Sequence, residues 1–574
     1  MERRTLWAIL LMMAIAIAPA FFIKRNAGSA VTRAAGSPVA TRDTTARTAP
    51  VGPAGPADSS TRTRAAADSS VAQAADTATP PTNITVTSDL YTWIVSSRGG
   101  RIVSARLNRY QSLAASSKHQ PVELIRNGSE VLGLALVAGG DTIRLRDWNF
   151  TPSATSLRVS GPTPLTLTAS QGGYSVALTY TFSDSYRVDV SGHITGLGPN
   201  GGLLLVDLGD GLNSAEADSA GNVHAYAFVV KDTEAHRHDF SGLKAGVPSI
   251  VSGPFEWVAV KSKYFVIGLF AFDSTSTTGR ISGVSALAPA NAPKRTAQAD
   301  VRVSLPVTSA GNLQYALYAG PMEHPRLAAI GHDFDDVNPY GWPGFRTAIR
   351  FFAVPVRWLL VAMHEKLGLA YGVGLILFGI MVRVLLWPLN QKAMRANMQL
   401  QAVQPLVKAA QERYKDDPKK QQEEMFRLYK EHHVNPMGGC WPMLLPMPVL
   451  LALFFVFQYS IELRGASFLW LPDLASKDPF YILPIVMGLS MYVLSKVGQM
   501  GMETNPQMKM TTYIMPVFMT VIFLNFASGL NLYYAVSNIA SIPQQWLLAR
   551  ERLRRIPAVQ PKQPRPKPAR PAQG

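Results

Sequence analysis

A multi-domain membrane protein, with an α-helical membrane core joined to a large exported antiparallel β-sandwich, is the fold class this sequence predicts, and three observations predict it. Charged residues make up only 16% of the chain, against roughly 25% in ordinary soluble domains. The deficit is concentrated in the C-terminal half, where apolar runs recur at about 369–389, 441–461, 480–497, 511–526 and 529–548. Between Ile84 and about Gly320, apolar and polar residues instead alternate with a period of two. At 574 residues the chain is too long for one ordinary domain.

The first element is the apolar run from Thr5 to Ile23, flanked by Arg3, Arg4, Lys24 and Arg25. It reads either as a cleaved signal peptide or as an uncleaved anchor of spanning length. Pro19 and Phe21-Phe22-Ile23 continue the run past the Ala16-Ile17-Ala18 stretch, which favours an anchor over residues 1–25. Residues 26–82 are Ala, Thr, Ser, Pro, Gly and Arg with almost no large apolar side chains. Such a stretch buries too little surface to offset its ordering entropy and is expected to be a disordered tether.

Residues 83–330 form the expected β-sandwich. Tyr174, Val176, Leu178, Tyr180 and Phe182 alternate with polar or small residues, and so do Tyr186, Val188, Val190 and Ile194 after the loop Ser183-Asp184-Ser185. Two alternating runs joined by a short polar loop make a hairpin with one buried face. Comparable runs lie at 84–95, 202–208, 223–230, 257–272 and 301–307. Asp207, Asp210, His224, His236, His238 and Glu256 are scattered here at spacings that match no metal or catalytic signature.

Residues 331–366 follow, and from Tyr340 they read as an amphipathic helix at the membrane surface. Phe345, Ile349, Phe352, Val356, Leu359, Leu360 and Met363 share one face, and Pro355 is expected to kink the helix. The alternative is an ordinary surface helix of the β domain.

The membrane core spans 367–550. Five segments plus the anchor make six spans, some of marginal length for roughly 30 Å of hydrocarbon. Residues 390–435 carry nine Lys/Arg and the tail after 549 carries eight, whereas 462–479 carries only Arg464 and Lys477. Basic segments stay in the cytoplasm, so the hairpin and tail are expected inside and the β domain outside. Within 390–435, Ala393, Met394, Val403, Leu406, Val407 and Ala410 face Met425, Leu428 and Tyr429 across the turn Asp416-Asp417-Pro418, a helical hairpin. Residues 551–574 form a basic, Pro-rich disordered tail.

Arg383 stands inside the first of these spans with no acidic neighbour there. A charge at that depth costs about 2.5–3.5 kcal/mol on insertion scales. Either its guanidinium snorkels toward Asn390 and the interface, or it keeps a water-filled cavity wet, with Asn525 and Asn531 as polar lining or as interhelical glue. Sixteen of the twenty Met lie between Met363 and Met519, which suits membrane-core packing and also surfaces that accept varied apolar partners. The lone cysteine, Cys440, excludes an internal disulfide and any Cys-pair zinc site. There is no Gly-x-x-x-x-Gly-Lys-Ser/Thr nucleotide motif, so no cofactor is expected. The net charge of +17 fits anionic lipid or a ribosome, or the positive-inside bias alone.

Asn435-Pro436-Met437-Gly438-Gly439-Cys440-Trp441-Pro442 with Met447-Pro448, then Asp478-Pro479-Phe480-Tyr481-Ile482-Leu483-Pro484, then Ser528-Gly529-Leu530 to Tyr533-Tyr534, Val536-Ser537-Asn538 and Gln544-Gln545 resemble the YidC/Oxa family of membrane insertases over roughly 340–550. Arg383 falls where that family has its groove arginine. The six-span layout with a large exported β domain is similar to the Gram-negative form. Pro446 stands where the family usually has Gln, and Phe526-Ala527-Ser528-Gly529 replaces the frequent Phe-Pro-Ser-Gly. The resemblance implies a bacterial inner-membrane insertase, not an enzyme, that takes nascent membrane proteins into a groove, alone or beside the Sec translocon and its accessory subunits. The implied groove residues are Arg383, Trp441, Pro442, Met447, Pro448, Asn525, Asn531, Tyr533 and Tyr534. Ribosome or targeting factors would meet the hairpin and tail; membrane lipids are partners and DNA is not. A solute transporter would need several convergent polar groups at the midplane, and a membrane-anchored enzyme acting outside would need a catalytic cluster in the β domain.

Overall fold

A computed structural model of the chain describes residues 80–218, 222–271, 280–293, 296–341, 346–432, 447–501 and 509–555. The expected anchor, nearly all of the tether, Trp441, Pro442 and the tail beyond 555 lie outside the described residues.

From Asn83 to Pro321 the chain builds sheets of five, nine and six strands. The hairpin read from the alternation is present: Tyr174–Phe182 pairs antiparallel with Arg187–Thr195, with Tyr180 opposite Val190 and Phe182 opposite Val188. Val176, Leu178, Tyr180 and Phe182 are buried in the core with Val188, Val190 and Ile194. Each such side chain contributes about 1.5–3 kcal/mol on burial. Trp93, from the five-stranded sheet, meets Phe182 edge-on at 6.1 Å and knits two sheets into one core. Among the described strands the pairing is antiparallel except where Asn83–Thr87 runs parallel beside Ser156–Arg158.

Toward one edge of the nine-stranded sheet the alternation disappears. Ala227–Lys231, Trp257–Lys261 and Phe265–Phe270 are buried at every position. Strands covered on both faces read as continuous apolar runs, and part of the cover is Phe334. Its ring lies 5.1 Å from Trp257 and 4.5 Å from Phe270. Gly268 makes room for it, because a Cβ there would stand 2.7 Å from the ring's Cζ.

The helices are α1 (His324–Ile330), α2 (Arg346–Leu367), α3 (Tyr371–Arg413), α4 (Pro418–Glu431), α5 (Met447–Tyr459), α6 (Ile482–Gly498), α7 (Met515–Phe523, entered through a π-helical turn at Met510–Ile514) and α8 (Ser528–Arg555). In α2, Ile349, Val356 and Leu360 are buried as the face predicts, but Phe352 points outward and the helix continues through Pro355. Helix α2 packs on α5 and α3. Two helical stretches, Arg346–Leu367 and Tyr371–Pro388, are long and apolar enough to cross a membrane; Val449–Tyr459, Ile482–Gly498 and Thr512–Phe523 are shorter.

The largest difference from the sequence reading is at α3. The expected span and the first arm of the hairpin are one helix of 43 residues, which contains both Pro388 and Pro405. At 1.5 Å per residue it extends about 65 Å. Helix α4 folds back on it: Val403 and Val407 pack against Met425, Leu428 and Tyr429. Asp417 caps α4, its Oδ1 accepting from the Lys420 N–H at 3.1 Å, and Pro418 takes the first turn.

Candidate functional site

The helices reverse the distribution found in the β domain. Val384 and Leu385 of α3, Ile485 and Leu489 of α6, Val517 and Val521 of α7, and Ile539 and Leu547 of α8 all face outward and are more than half exposed. Ser490, Asn531, Ser537, Asn538, Ser541 and Gln544 are buried. A soluble domain does not present so wide an apolar surface. Hydrocarbon outside and polar contacts between helices inside suit this distribution.

The buried polar groups of α8 face both α3 and α6. Ser537, Ser541 and Gln544, spaced i, i+4, i+7, share the face turned to α3. Arg383 Nε donates to Ser537 Oγ at 2.7 Å. Farther along, Gln544 Nε2 donates to the Trp387 carbonyl at 3.1 Å, and Asn390 Nδ2 donates to Gln544 Oε1 at 3.3 Å. Ser541 Oγ closes onto the Ser537 carbonyl at 2.7 Å. Toward α6, Asn538 Nδ2 donates to Ser490 Oγ at 3.2 Å. At the far end of α6, Thr512 Oγ1 donates to Gln499 Oε1 at 2.6 Å and Gln499 Nε2 donates to Ser495 Oγ at 3.2 Å.

Among the described residues no carboxylate pairs with Arg383. Tyr533 and Tyr534 lie within electrostatic reach of it. Tyr533 is buried with its ring 5.8 Å from Phe378, and Tyr534 meets Phe523 edge-on at 5.5 Å. The arginine and the two tyrosines expected in the site therefore come together.

The two asparagines do not join them. Helix α7 ends at Phe523, so Asn525 falls in the following turn, exposed, where a polar side chain costs nothing. Asn531 is fully buried and its Nδ2 donates to the carbonyls of Phe523 and Ala527 at 3.2 and 3.3 Å. It ties the turn between α7 and α8 and does not line a groove. Met447 and Pro448 open α5. The residues that sequence reasoning left as motif only, Ser537, Asn538 and Gln544, hold these polar contacts. Their signal was small or amide side chains at helical spacing inside an apolar run.

The β domain holds a separate polar cavity of about 190 Å³, lined by Glu130, Arg146, Asp207, Asp210, Asp300 and Arg302 among others. Asp207 accepts from Arg146 at 3.1 Å and from Arg302 at 2.7 Å, and Glu130 takes Arg101 and Arg146. Burial raises the Asp300 carboxyl above its ordinary range. Asp207 and Asp210 thus meet, within an arginine-paired network. His236 and His238 lie on a strand of a different sheet, and Glu256 sits 3.1 Å from His332.

Comparison with known proteins gives two family matches, the 60Kd inner membrane protein over residues 362–555 and the YidC periplasmic domain over residues 83–359. The membrane protein insertase YidC of Chlorobaculum tepidum is 30% identical over 573 residues, covering 95% of this chain and 94% of the relative. That of Chloroherpeton thalassium is 31% identical over 498 residues, covering 81% and 82%. Among solved structures, an active YidC insertase crystal structure with the first transmembrane domain resolved aligns at 17% identity and a TM-score of 0.32, over 82% of this chain and 93% of that one.

Proposed function

Starting from the fact that this chain belongs to the YidC family of membrane protein insertases, we propose that Arg383 and the polar face of α8 form its substrate groove. The protein is an inner-membrane insertase with a periplasmic β-sandwich domain, and its substrates are nascent membrane proteins.

The observation that carries the groove reading is the position of Arg383. Its Nε is held on Ser537, no described carboxylate neutralises it, and buried polar side chains continue from it to Asn390. A charge kept there needs water or a transient partner. A substrate's polar flank would enter this wet face in place of crossing some 30 Å of hydrocarbon. Its apolar segment would slide past Tyr533, Tyr534 and the start of α5 at Met447 and Pro448 into lipid, and Trp441 and Pro442 belong to the same proposed groove set. Burial of apolar area at about 25 cal/mol per Å² drives the last step.

The finer layout belongs to the same reading. The five apolar segments of 367–550 cross the membrane and residues 1–25 anchor the chain, making six spans. Residues 26–82 tether the 83–330 domain outside, 331–366 forms the interfacial amphipathic helix, and the α3–α4 hairpin with the basic tail 551–574 is cytoplasmic. The nine Lys/Arg of 390–435 support that orientation. The same charge supports contact with the ribosome or targeting factors at the hairpin and tail; cooperation with the Sec translocon is the family's implication.

Reconstitution tests the groove. Purified protein in liposomes is given a small single-span substrate, and insertion is scored by protease protection. The expected outcome is insertion above empty liposomes, lowered by Arg383→Ala. Full insertion by the variant would leave the function standing and remove Arg383 from it.

A further inference from the structure

Residues 460–478, which join α5 to α6, touch three regions of the molecule at once. On the β domain, Arg464 reaches with all three guanidinium nitrogens: Nε donates to Glu216 Oε1 at 2.7 Å, Nη1 to the Gln111 carbonyl at 2.8 Å and Nη2 to the Ala215 carbonyl at 2.8 Å. Its guanidinium also lies 5.3 Å over the Phe265 ring. The arginine side chain is only 5% exposed and that of Glu216 only 12%. Around this contact, Lys263 Nζ donates to the Ala475 carbonyl at 3.4 Å and Lys477 stands 3.7 Å from Asp218. On α2, Arg357 pairs with Glu462, and ahead of that helix Tyr340 meets Ser460 at 3.3 Å.

The third contact is with the ends of the membrane helices. The first N–H groups of a helix lack intrahelical partners, and this segment supplies them for two helices. At α8, the Ser528 N–H donates to the Ser476 carbonyl at 2.7 Å and the Gly529 N–H to the Leu474 carbonyl at 2.9 Å. The Ser528 hydroxyl donates to the Asp473 carbonyl at 3.2 Å. At α6, the fully buried Asp478 accepts from the Leu483 N–H at 2.7 Å, the Phe480 N–H at 3.0 Å and Trp470 Nε1 at 3.2 Å. Asp473 keeps the strap folded by accepting from the Gly465 and Ala475 N–H groups at 3.1 and 2.9 Å and from the Ser476 hydroxyl at 2.6 Å.

We propose that residues 460–478 are a coupling strap and Arg464 its positioning residue: by gripping Arg464, the β domain holds the strap over the adjacent ends of α6 and α8 and so closes that end of the groove. The strap is stitched to both bodies by named hydrogen bonds and has few residues to spare between them. A guanidinium that donates one bond from each of its three nitrogens, to two carbonyls and a carboxylate, determines the strap's position in a way that a single surface ion pair does not. The β domain then contributes to insertion without touching substrate, by keeping the far end of the groove shut while the polar face near Asn390 stays open. What the strap closes rests on the groove reading above; that it is held by the β domain does not.

Amide hydrogen exchange on the full chain in liposomes, with no substrate present, separates the two. Arg464→Ala removes all three bonds. It is expected to speed exchange at Ser528, Gly529 and Leu483 about tenfold, with the hairpin of residues 174–195 still protected. Glu216→Gln keeps an acceptor for Arg464 and should give a smaller acceleration at the same amides, about threefold. In an insertion assay, Arg464→Ala should also release a small entrapped dye about threefold faster than the parent protein. Unchanged exchange at Ser528 and Gly529 in a folded Arg464→Ala protein would overturn the proposal, because the helices alone would then hold the strap. If that variant loses protection in the hairpin as well, Glu216→Gln decides, and its failure to accelerate Ser528 overturns the proposal equally. A protein that inserted nothing would still report on the strap through exchange.

Discussion

Gly488 of α6 faces Thr520 of α7 so closely that a methyl group in place of its hydrogen would overlap the threonine hydroxyl oxygen, and it would stand 3.3 Å from the Pro516 carbonyl that this hydroxyl bonds. Small residues at such crossings let membrane helices approach. Gly488→Ala is expected to destabilise the helical region by about 1–3 kcal/mol, the usual result of overpacking. Combining it with Thr520→Ala removes the obstructing oxygen and should restore much of the loss. Thermal unfolding of both proteins in one detergent checks this, and a double variant no better than the single one would count against the contact.

Ser537 is the fixed acceptor for Arg383. Ser537→Ala should lower liposome insertion about threefold to tenfold, while Ser537→Thr, which keeps a hydroxyl, should lower it less. Added to Arg383→Ala, the serine change should cost nothing more, because two residues acting through one bond are not additive. Full additivity would separate their roles.

Asp478 satisfies two backbone N–H groups and an indole from a fully buried position. Its replacement by Ala leaves three donors without an acceptor, and a loss of about 2–3 kcal/mol is expected; Asn, which retains one oxygen, should cost less. Trp470 fluorescence reports the local change, since its indole N–H loses its partner, and unfolding reports the energy.

His238 stacks on Phe228 at 4.6 Å with the rings nearly parallel. Burial holds its pKa below the ordinary 6.5; neighbouring His236 lowers it further and Asp239 opposes. The unfolded chain therefore takes up the proton first as pH falls. The stability from the neutral ring is complete above the unfolded value and is lost as pH drops from there through the folded one. The melting temperature of the full chain should decline from pH 7.5 to pH 5 less steeply in His238→Phe than in the parent. Equal slopes would remove His238 from the acid response.

Much of this was legible in the sequence where one period ran uninterrupted. The hairpin of residues 174–195 follows from alternation because one of its faces is buried and the other is not. The contact of Val403 and Val407 with Met425, Leu428 and Tyr429 follows from helical spacing on both arms. Periodicity says little about where a helix stops. The apolar span of about 369–389 and the first arm of the 390–435 hairpin read as separate elements, yet one helix runs through both, Pro388 and Pro405 included. Asn525 read as lining because the apolar run continues through it, although the helix had already ended at Phe523. Arg464 and Glu216 are 248 positions apart, and no local pattern could pair them; the same is true of Arg383 with Ser537. Such contacts are set by how sheets and helices meet, which the chain encodes only collectively.

The outward-apolar, inward-polar arrangement of the helices has a consequence for what holds them to one another. Water expulsion glues the β-sandwich, but hydrocarbon tails are as apolar as Leu, so Val384, Leu489 or Val517 gains nothing by leaving lipid for a neighbouring helix. Cohesion there rests on shape at small residues such as Gly488 and on a few hydrogen bonds of modest worth. A body assembled in that way can separate a pair of its helices, take in a foreign segment that offers equivalent contacts, and close again at little net cost. The same trade inside the sandwich would flood its core.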